Sequence, residues 1–338
     1  MKMSEKKKQR KRSLLDIIIS SSKAIYYAIT EPIKLKIARS KNEKNYLKKE
    51  KNPLISVYCP TYNRGKLLMK RAVKSVLSQT YKNFEFIIVG DCCTDDTAKL
   101  VSKINDKRVK FYNLKKRGYR FPETAENLWL AGPVVAANKA LEIIRGKWIA
   151  RIDDDDIWTE DHLQTLLDCA QKGNYEFVSS LYEEKRHGKK TVIDGERANG
   201  PYYTRKNKPT RGYDPKIGGT QTWLYRSYLK LFRYNIDCWR KNWNKVNDTD
   251  ISIRMFKAGV KMGFVDEVLG FYYPRPGEDT VGLDAYKEAE EKGDKKYVIL
   301  KTSNGSEGKK MKTNEYSDYK RFDTYQKIIQ KKIKEKGQ

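Results

Sequence analysis

The side chains with the most evident chemical capacity in this chain are clustered carboxylates. Residues 151–158 read R-I-D-D-D-D-I-W, four acids in a row between an apolar run and a tryptophan. Adjacent like charges repel, and a buried, unpaired carboxylate is costly, so the run must lie in water or meet positive charge. Asp153 and Asp155, one residue apart, could serve a hard divalent cation such as Mg2+ or Mn2+. Such an ion accepts one or two carboxylates and completes its shell with substrate phosphates and water. A local alternative is that the run starts a helix near Thr159, where each acid contributes about 0.3–1 kcal/mol. One or two acids would suffice for that. Two further acidic stretches are V-G-D-C-C-T-D-D-T at 89–97 and N-D-T-D at 247–250.

The elements that must position these acids alternate in type. Ile55–Cys59, closed by Pro60, and Phe84–Val89 read as strands, the second a near-continuous apolar run of the kind buried on both faces. Helical spacing occupies 66–78 and 134–144, with further strands at 109–113 and 147–152. Strand–helix alternation argues for a parallel α/β sheet, whose ligands bind at the carboxyl edge of the strands. Asp91 and Asp153 both stand at such strand ends. From 182 to 216 the pattern fades, reading either as a basic loop near substrate or as ordinary surface. It returns at Gly218, with a helix over 250–258 and strands at 261–266 and 270–273. The last residues of the chain include a basic helical pattern over 316–336.

The ordered motifs P-T-Y-N-R (60–64), V-G-D-C-C-T-D-D-T, I-D-D-D-D-I-W and the segment 247–272 resemble the family 2 glycosyltransferases. The resemblance covers residues 54–277. It implies an α/β, GT-A type fold: a Rossmann-like mixed, mostly parallel sheet flanked by helices over 53–277. The nucleotide-sugar half is expected at 53–158 and the acceptor half at 159–277. It implies nucleotide contacts from Pro60, Thr61, Tyr62, Asp91, Asp153 and Asp154, a Mn2+ or Mg2+ ion on Asp155, and Asp248 as general base. Read on their own, Asp154 and Asp156 are solvent-facing, supporting or helix-start residues. The implied reaction moves a sugar from a nucleotide-diphosphate-sugar, a UDP-sugar by default, to a hydroxyl of a glycan or lipid-linked acceptor, with inversion. Four positions depart from the family pattern. Cys92-Cys93 replaces Gly-Ser, Gly90 stands where a second acid is common, and Asn247 stands where a Glu often precedes the base.

Charge and composition set the surroundings. The 338 residues carry 71 Lys and Arg against 43 Asp and Glu, a formal charge of +28. Residues 1–52 hold sixteen basic against five acidic residues, and 301–338 eleven against five. These basic ends, 1–52 and 278–338, read as extensions of the 53–277 domain, suited to an anionic partner. The apolar segment 14–29 is too interrupted to span a membrane and reads as a helix lying at a membrane surface, with 41–51 as a linker. A cytoplasmic protein, peripheral at the inner face of a membrane, is the resulting expectation. The alternative function is a basic nucleic-acid-binding or membrane-surface protein with a non-catalytic GT-A fold. No zinc-finger, RRM-like or helix-turn-helix pattern accompanies the basic ends, so no nucleic acid is expected. Five cysteines without metal spacing read as reduced thiols. Trp158 reads as a packing or sugar-stacking residue. Trp223, Trp239 and Trp243 fall in the acceptor half, and His162 and His187 receive no role.

Overall fold

The computed structural model describes residues 13–118, 121–122, 125–193, 217–240 and 247–286. Trp243, the Lys206–Lys216 stretch and the 316–336 pattern lie outside them.

The chain opens with a long helix, α1 (Leu14–Asn42), capped by Ser13 in a reciprocal box with Asp16. Among the described residues nine strands then form one sheet: β1 (Ile55–Thr61), β2 (Phe84–Gly90), β3 (Val109–Asn113), β4 (Trp148–Arg151), β5 (Asp156–Trp158), β6 (Phe177–Arg186), β7 (Lys189–Ile193), β8 (Leu224–Arg226) and β9 (Met262–Tyr272). The order is β3-β2-β1-β4-β8-β6-β9-β5, with β7 on β6. The first four strands are parallel, β6 pairs parallel with β9, and β8, β5 and β7 are antiparallel to their neighbours. This is the mixed α/β architecture expected, with the parallel half formed by the earlier residues.

Both faces of the sheet are buried along β1 and β2, which explains their near-continuous apolar runs. Ile55, Val57 and Cys59 of β1 face one core together with Phe86 and Ile88 of β2. Tyr58, Ile87, Val89 and Ile149 face the other. The first core is covered by α2 (residues 65–77), through Leu68, Ala72 and Val76, and by α6 (His162–Lys172), through Leu163, Leu166 and Leu167. The second is covered by α5 (Val134–Ile143), through Ala136, Ala137, Ala140 and Leu141. Shorter helices α3 (Thr97–Val101) and α4 (Ala125–Ala131) follow β2 and precede α5, and α7 (Asn247–Lys257) follows β8.

Four local expectations are corrected. Strand β1 does not stop before Pro60 but runs to Thr61, with Pro60 opposite Val89. Pairing with β4 ends at Tyr58, so the missing proline N–H interrupts no ladder on that side. The pattern does not fade at Tyr182: β6 and β7 form a hairpin to Ile193, whose charged residues pair across strands, as Lys190 does with Glu183 at 3.0 Å. Residues 41–51 are no free linker, because α1 continues through Pro32 to Asn42 and Tyr46 packs edge-on against Trp148 and Tyr228. Residues 261–266 and 270–273 are one strand, β9, whose pairing with β6 passes through register shifts.

Candidate active site

The carboxyl ends of β1, β2 and β4 open on a cavity of about 620 Å3, whose other walls come from the 219–221 turn, the start of α7 and residues 272–286. Pro60, Thr61, Tyr62, Asp91, Asp153, Asp154, Asp155 and Asp248 all line it. The topology therefore brings together in one place every side chain expected to meet nucleotide, cation or acceptor, from four separate segments.

Asp91 sits just past β2, its backbone N–H bonded to the Thr61 carbonyl at 2.9 Å. Its side chain is buried, and Arg117 Nε donates to Oδ2 at 3.2 Å. The Arg117 guanidinium lies 3.8 Å over the Tyr62 ring. Asp91 Oδ1 is buried with no hydrogen-bond partner among the described residues. Burial raises the carboxyl's pKa, opposed by Arg117 and by the Gly118 backbone N–H. An inward acceptor of this kind suits an N–H of a bound heterocycle.

The acidic run resolves into four environments. Arg151, almost fully buried, donates from Nε and Nη2 to Asp153 Oδ1 at 3.0 and 2.9 Å. Asp154 accepts from Thr61 Oγ1 at 2.7 Å and from Arg64 Nη1 at 3.0 Å. Asp155 turns Oδ2 toward Arg64 Nη1, 3.5 Å away, and Arg275 Nη1, 4.0 Å away. Asp156 is the first residue of β5, its Oδ1 buried without a partner, and burial beside Asp155 and Asp153 pushes its carboxyl well up. Asp154 and Asp156 are thus buried at 4% and 3% exposure, and a solvent-facing reading of either is wrong. The helix-start alternative also fails, because β5 follows the run and α6 begins only at His162, after Asp161. Arg64, Arg151 and Arg275 supply part of the positive charge that crowded carboxylates require.

Asp248 lies in the first turn of α7, half-buried. Thr220 Oγ1 donates to its Oδ2, and the Thr249 backbone N–H to Oδ1 at 2.7 Å. The preceding Asn247 is buried, receiving Arg151 Nη1 at 3.4 Å and donating to the Leu130 carbonyl at 3.1 Å. Arg151 therefore joins Asp153 at the end of β4 to the turn that presents Asp248. Arg71 fixes the acidic loop from another side. It extends from a π-helical turn in α2 (Met69–Val73), and its guanidinium donates to the carbonyls of Asp155 and Tyr273, both at 2.8 Å. π-turns of this sort recur at functional sites.

Among the described residues no cluster of three or more His, Cys, Asp or Glu side chains forms a protein metal cage. Asp155 nonetheless fits a hard cation. It lines the cavity, and the two guanidinium groups paired with its Oδ2 stand at 3.5 and 4.0 Å, so no short ion pair holds that oxygen. A cation held there would draw most of its ligands from phosphate and water.

Sequence reasoning gave no role to Arg64, Arg117, Arg151, Thr220, Arg275 or Tyr286, all of which line the cavity. Arg64 and Arg151 stood inside quoted motifs. Tyr286 lies beyond the expected end of the acceptor half, yet Arg64 Nη2 donates to its hydroxyl at 3.2 Å. Burial would raise that phenol, but Arg64 and Arg275 bring it below its usual range. Trp158 proves to be a packing residue, stacked 4.0 Å from His162 with its indole N–H on the Gln221 carbonyl. His162 is held neutral by burial, its pKa lowered to about 3. Trp223 and Trp239 are core residues, whereas Trp129 reaches the cavity.

Residues 56–232 match the family described as Glycosyl transferase family 2. The chain belongs to that family. Among curated relatives, WcaA of Escherichia coli (strain K12), named for colanic acid biosynthesis, is 33% identical over 213 residues, 60% of this chain and 66% of its own. A second Escherichia coli protein, WfgD, named a UDP-Glc:alpha-D-GlcNAc-diphosphoundecaprenol beta-1,3-glucosyltransferase, is 31% identical over 130 residues, 38% of this chain and 46% of its own. The match thus spans less than two thirds of either relative. Among solved structures, S. aureus TarS 1-349 in complex with UDP-GlcNAc superposes with a TM-score of 0.48 at 19% identity, over 67% of this chain and 60% of that one.

Two departures from the family pattern acquire physical reasons. A Cβ at Gly90 would stand 2.5 Å from Asn113 Oδ1, so the side chain of β3 occupies the space a second acid would need. Cys92 has φ 61°, a left-handed conformation that glycine adopts without strain.

Proposed function

We propose that this chain transfers a sugar from a nucleotide-diphosphate-sugar to a hydroxyl of a glycan or lipid-linked acceptor, with inversion. One observation carries the reading: a single cavity gathers the unpartnered Asp91 Oδ1, the cavity-facing Asp155 and the Asp248 carboxylate on separate walls.

The division of labour follows from those positions. Asp91, braced by Arg117, accepts a hydrogen bond from the nucleobase, while Tyr62 and Pro60 border the same part of the cavity. Asp153 faces the ribose side, and Asp154 holds the β1 loop through Thr61 and Arg64 rather than meeting the nucleotide through a free oxygen. Asp155 would hold Mn2+ or Mg2+; when bound, such an ion stabilises negative charge on the departing diphosphate. Arg64 and Arg275 add fixed positive charge beside it. Asp248 accepts the proton of the attacking hydroxyl, which is otherwise a poor nucleophile. Thr220 and the Thr249 N–H hold its two oxygens in one orientation. A single base opposite the leaving group gives inversion. The relative named for a diphosphoundecaprenol acceptor supports a lipid-linked glycan as acceptor and a UDP-sugar as donor.

A thermal-shift screen of nucleoside diphosphates and nucleotide-sugars, with and without Mn2+, tests this reading. Stabilisation by one nucleotide series that depends on the cation is expected. No response to any nucleotide, with or without Mn2+ or Mg2+, would overturn it.

A further inference from the structure

Helix α1 is built inside out. Its polar side faces the protein: Asp16 pairs with Arg240 at 2.7 Å, Lys23 with Asp237, Glu31 with Arg254, and Arg39 with Glu176 at 2.6 Å. Asp16 and Glu31 are buried by these contacts, as is Leu35 in the core. On the opposite side, Leu14, Ile18, Ile25, Ile29, Ile33 and Ile37 succeed one another at spacings of four and seven residues. All six are exposed, by 49 to 73%. A helix of a soluble domain turns such a stripe toward its core. Here the stripe runs from Leu14 to Ile37 of the 29-residue helix, roughly 36 Å at 1.5 Å per residue. A contiguous apolar surface of that extent marks a docking face.

Charge identifies the occupant. Exposed Lys34, Lys36, Lys41 and Lys44 border the stripe. In the sequence, the twelve residues before Ser13 hold seven Lys and Arg against one Glu. A second copy would set these lysines against lysines, on chains carrying +28 each. An anionic bilayer instead accepts isoleucines at the acyl boundary and ammonium groups among its headgroups. No described helix is long and apolar enough to cross a membrane, so a surface contact is the geometry left to this stripe.

We propose that α1 lies flat in the interfacial layer of an anionic membrane, apolar stripe inward, and holds the domain beneath it by its polar face. Arg254, which grips Glu31, is six residues beyond Asp248 in α7, about 9 Å along that helix. The membrane-facing helix and the helix presenting Asp248 are thus joined directly, which sets the cavity at a fixed position relative to the surface. This inference does not depend on the sugar-transfer reading.

The test is flotation of the full chain with vesicles of equimolar phosphatidylglycerol and phosphatidylcholine, compared with phosphatidylcholine alone. The variant Ile25→Ser/Ile29→Ser/Ile33→Ser keeps every charge and alters only exposed side chains. Wild-type protein should float with the anionic vesicles, and the variant's partition should fall at least about tenfold. Its nucleotide-induced thermal shift should stay unchanged. Should that variant fail to fold, Ile18→Ser/Ile37→Ser reads the same stripe. Wild-type protein that does not float, or a folded variant that floats equally well, overturns the proposal. So does a wild-type dimer in light scattering that the variant dissolves without any flotation, which would assign the stripe to a second copy.

Discussion

Replacing Asp91 by Asn removes one charge from the cavity while leaving the shape of the side chain nearly intact. Arg117 already occupies Oδ2 at 3.2 Å, and Oδ1 is buried without a partner. The desolvation of that oxygen is therefore borne by the free protein, and a nucleobase N–H that reaches it forms a hydrogen bond to a charged acceptor. Such bonds contribute about 1.5–3 kcal/mol, against about 1 kcal/mol for a neutral amide acceptor. The difference, about 0.5–2 kcal/mol, predicts UDP binding weakened roughly 2- to 30-fold in Asp91→Asn. Calorimetric titration of UDP in the presence of Mn2+ measures it directly. Arg117 loses an ionic partner in the same variant, so a melting curve must accompany the titration. A folded Asp91→Asn protein that binds UDP within about twofold of wild type would refute the assignment of Oδ1 to the base.

Asp155→Ala should abolish the part of donor affinity that depends on Mn2+ or Mg2+ and leave metal-free nucleotide binding largely as it was; equal calorimetric affinities with and without metal in wild type would contradict this. Glu176 gives a pH dependence. Burial raises its pKa, but hydrogen bonds from Arg39, the Lys261 backbone and Tyr228 more than offset this and bring it below 4.5. Because the folded state holds this proton less tightly than the unfolded chain, its contribution is full above pH 4.5 and declines as pH falls further. Arg39→Ala should flatten that acid limb of a melting-temperature profile, and an unchanged limb would count against the α1 anchor. At Cys92, substitution by Val should lower stability by about 1–2 kcal/mol because a β-branched residue resists φ 61°, whereas Gly should be tolerated; equal melting temperatures for the two would dispose of the strain argument.

The elements that were legible in the sequence are those whose burial is simple. Strand β2 is buried along its whole length on both sides, so Phe84–Gly90 reads as an apolar run, and α5 shows its alanines at helical spacing because one face meets the sheet. The acids were legible because each ends a strand or begins a helix at the same edge. What stayed hidden depends on partners distant in the chain. Arg64, Arg117, Arg151 and Arg275 come from four segments, and nothing local distinguishes an arginine aimed at Asp154 from one in solvent. The β6–β7 hairpin was masked by its charged residues Glu183, Lys185, Lys189 and Lys190, of which Lys190 meets Glu183 only once the strands are paired. Helix α1 misled for the opposite reason: the lysines of 41–51 suggested a linker after a short helix, yet salt bridges to Arg240, Asp237, Arg254 and Glu176 hold the polar face of a helix that runs to Asn42.

The central claim is that Asp248 takes the acceptor's proton in a cavity that Asp91 and Asp155 prepare for the nucleotide. Single-turnover transfer from the donor found by the nucleotide screen, in wild type and Asp248→Asn, tests it most directly. The account predicts donor affinity within about twofold of wild type and a rate of transfer lower by at least about a hundredfold. A variant that transfers at near the wild-type rate would contradict it.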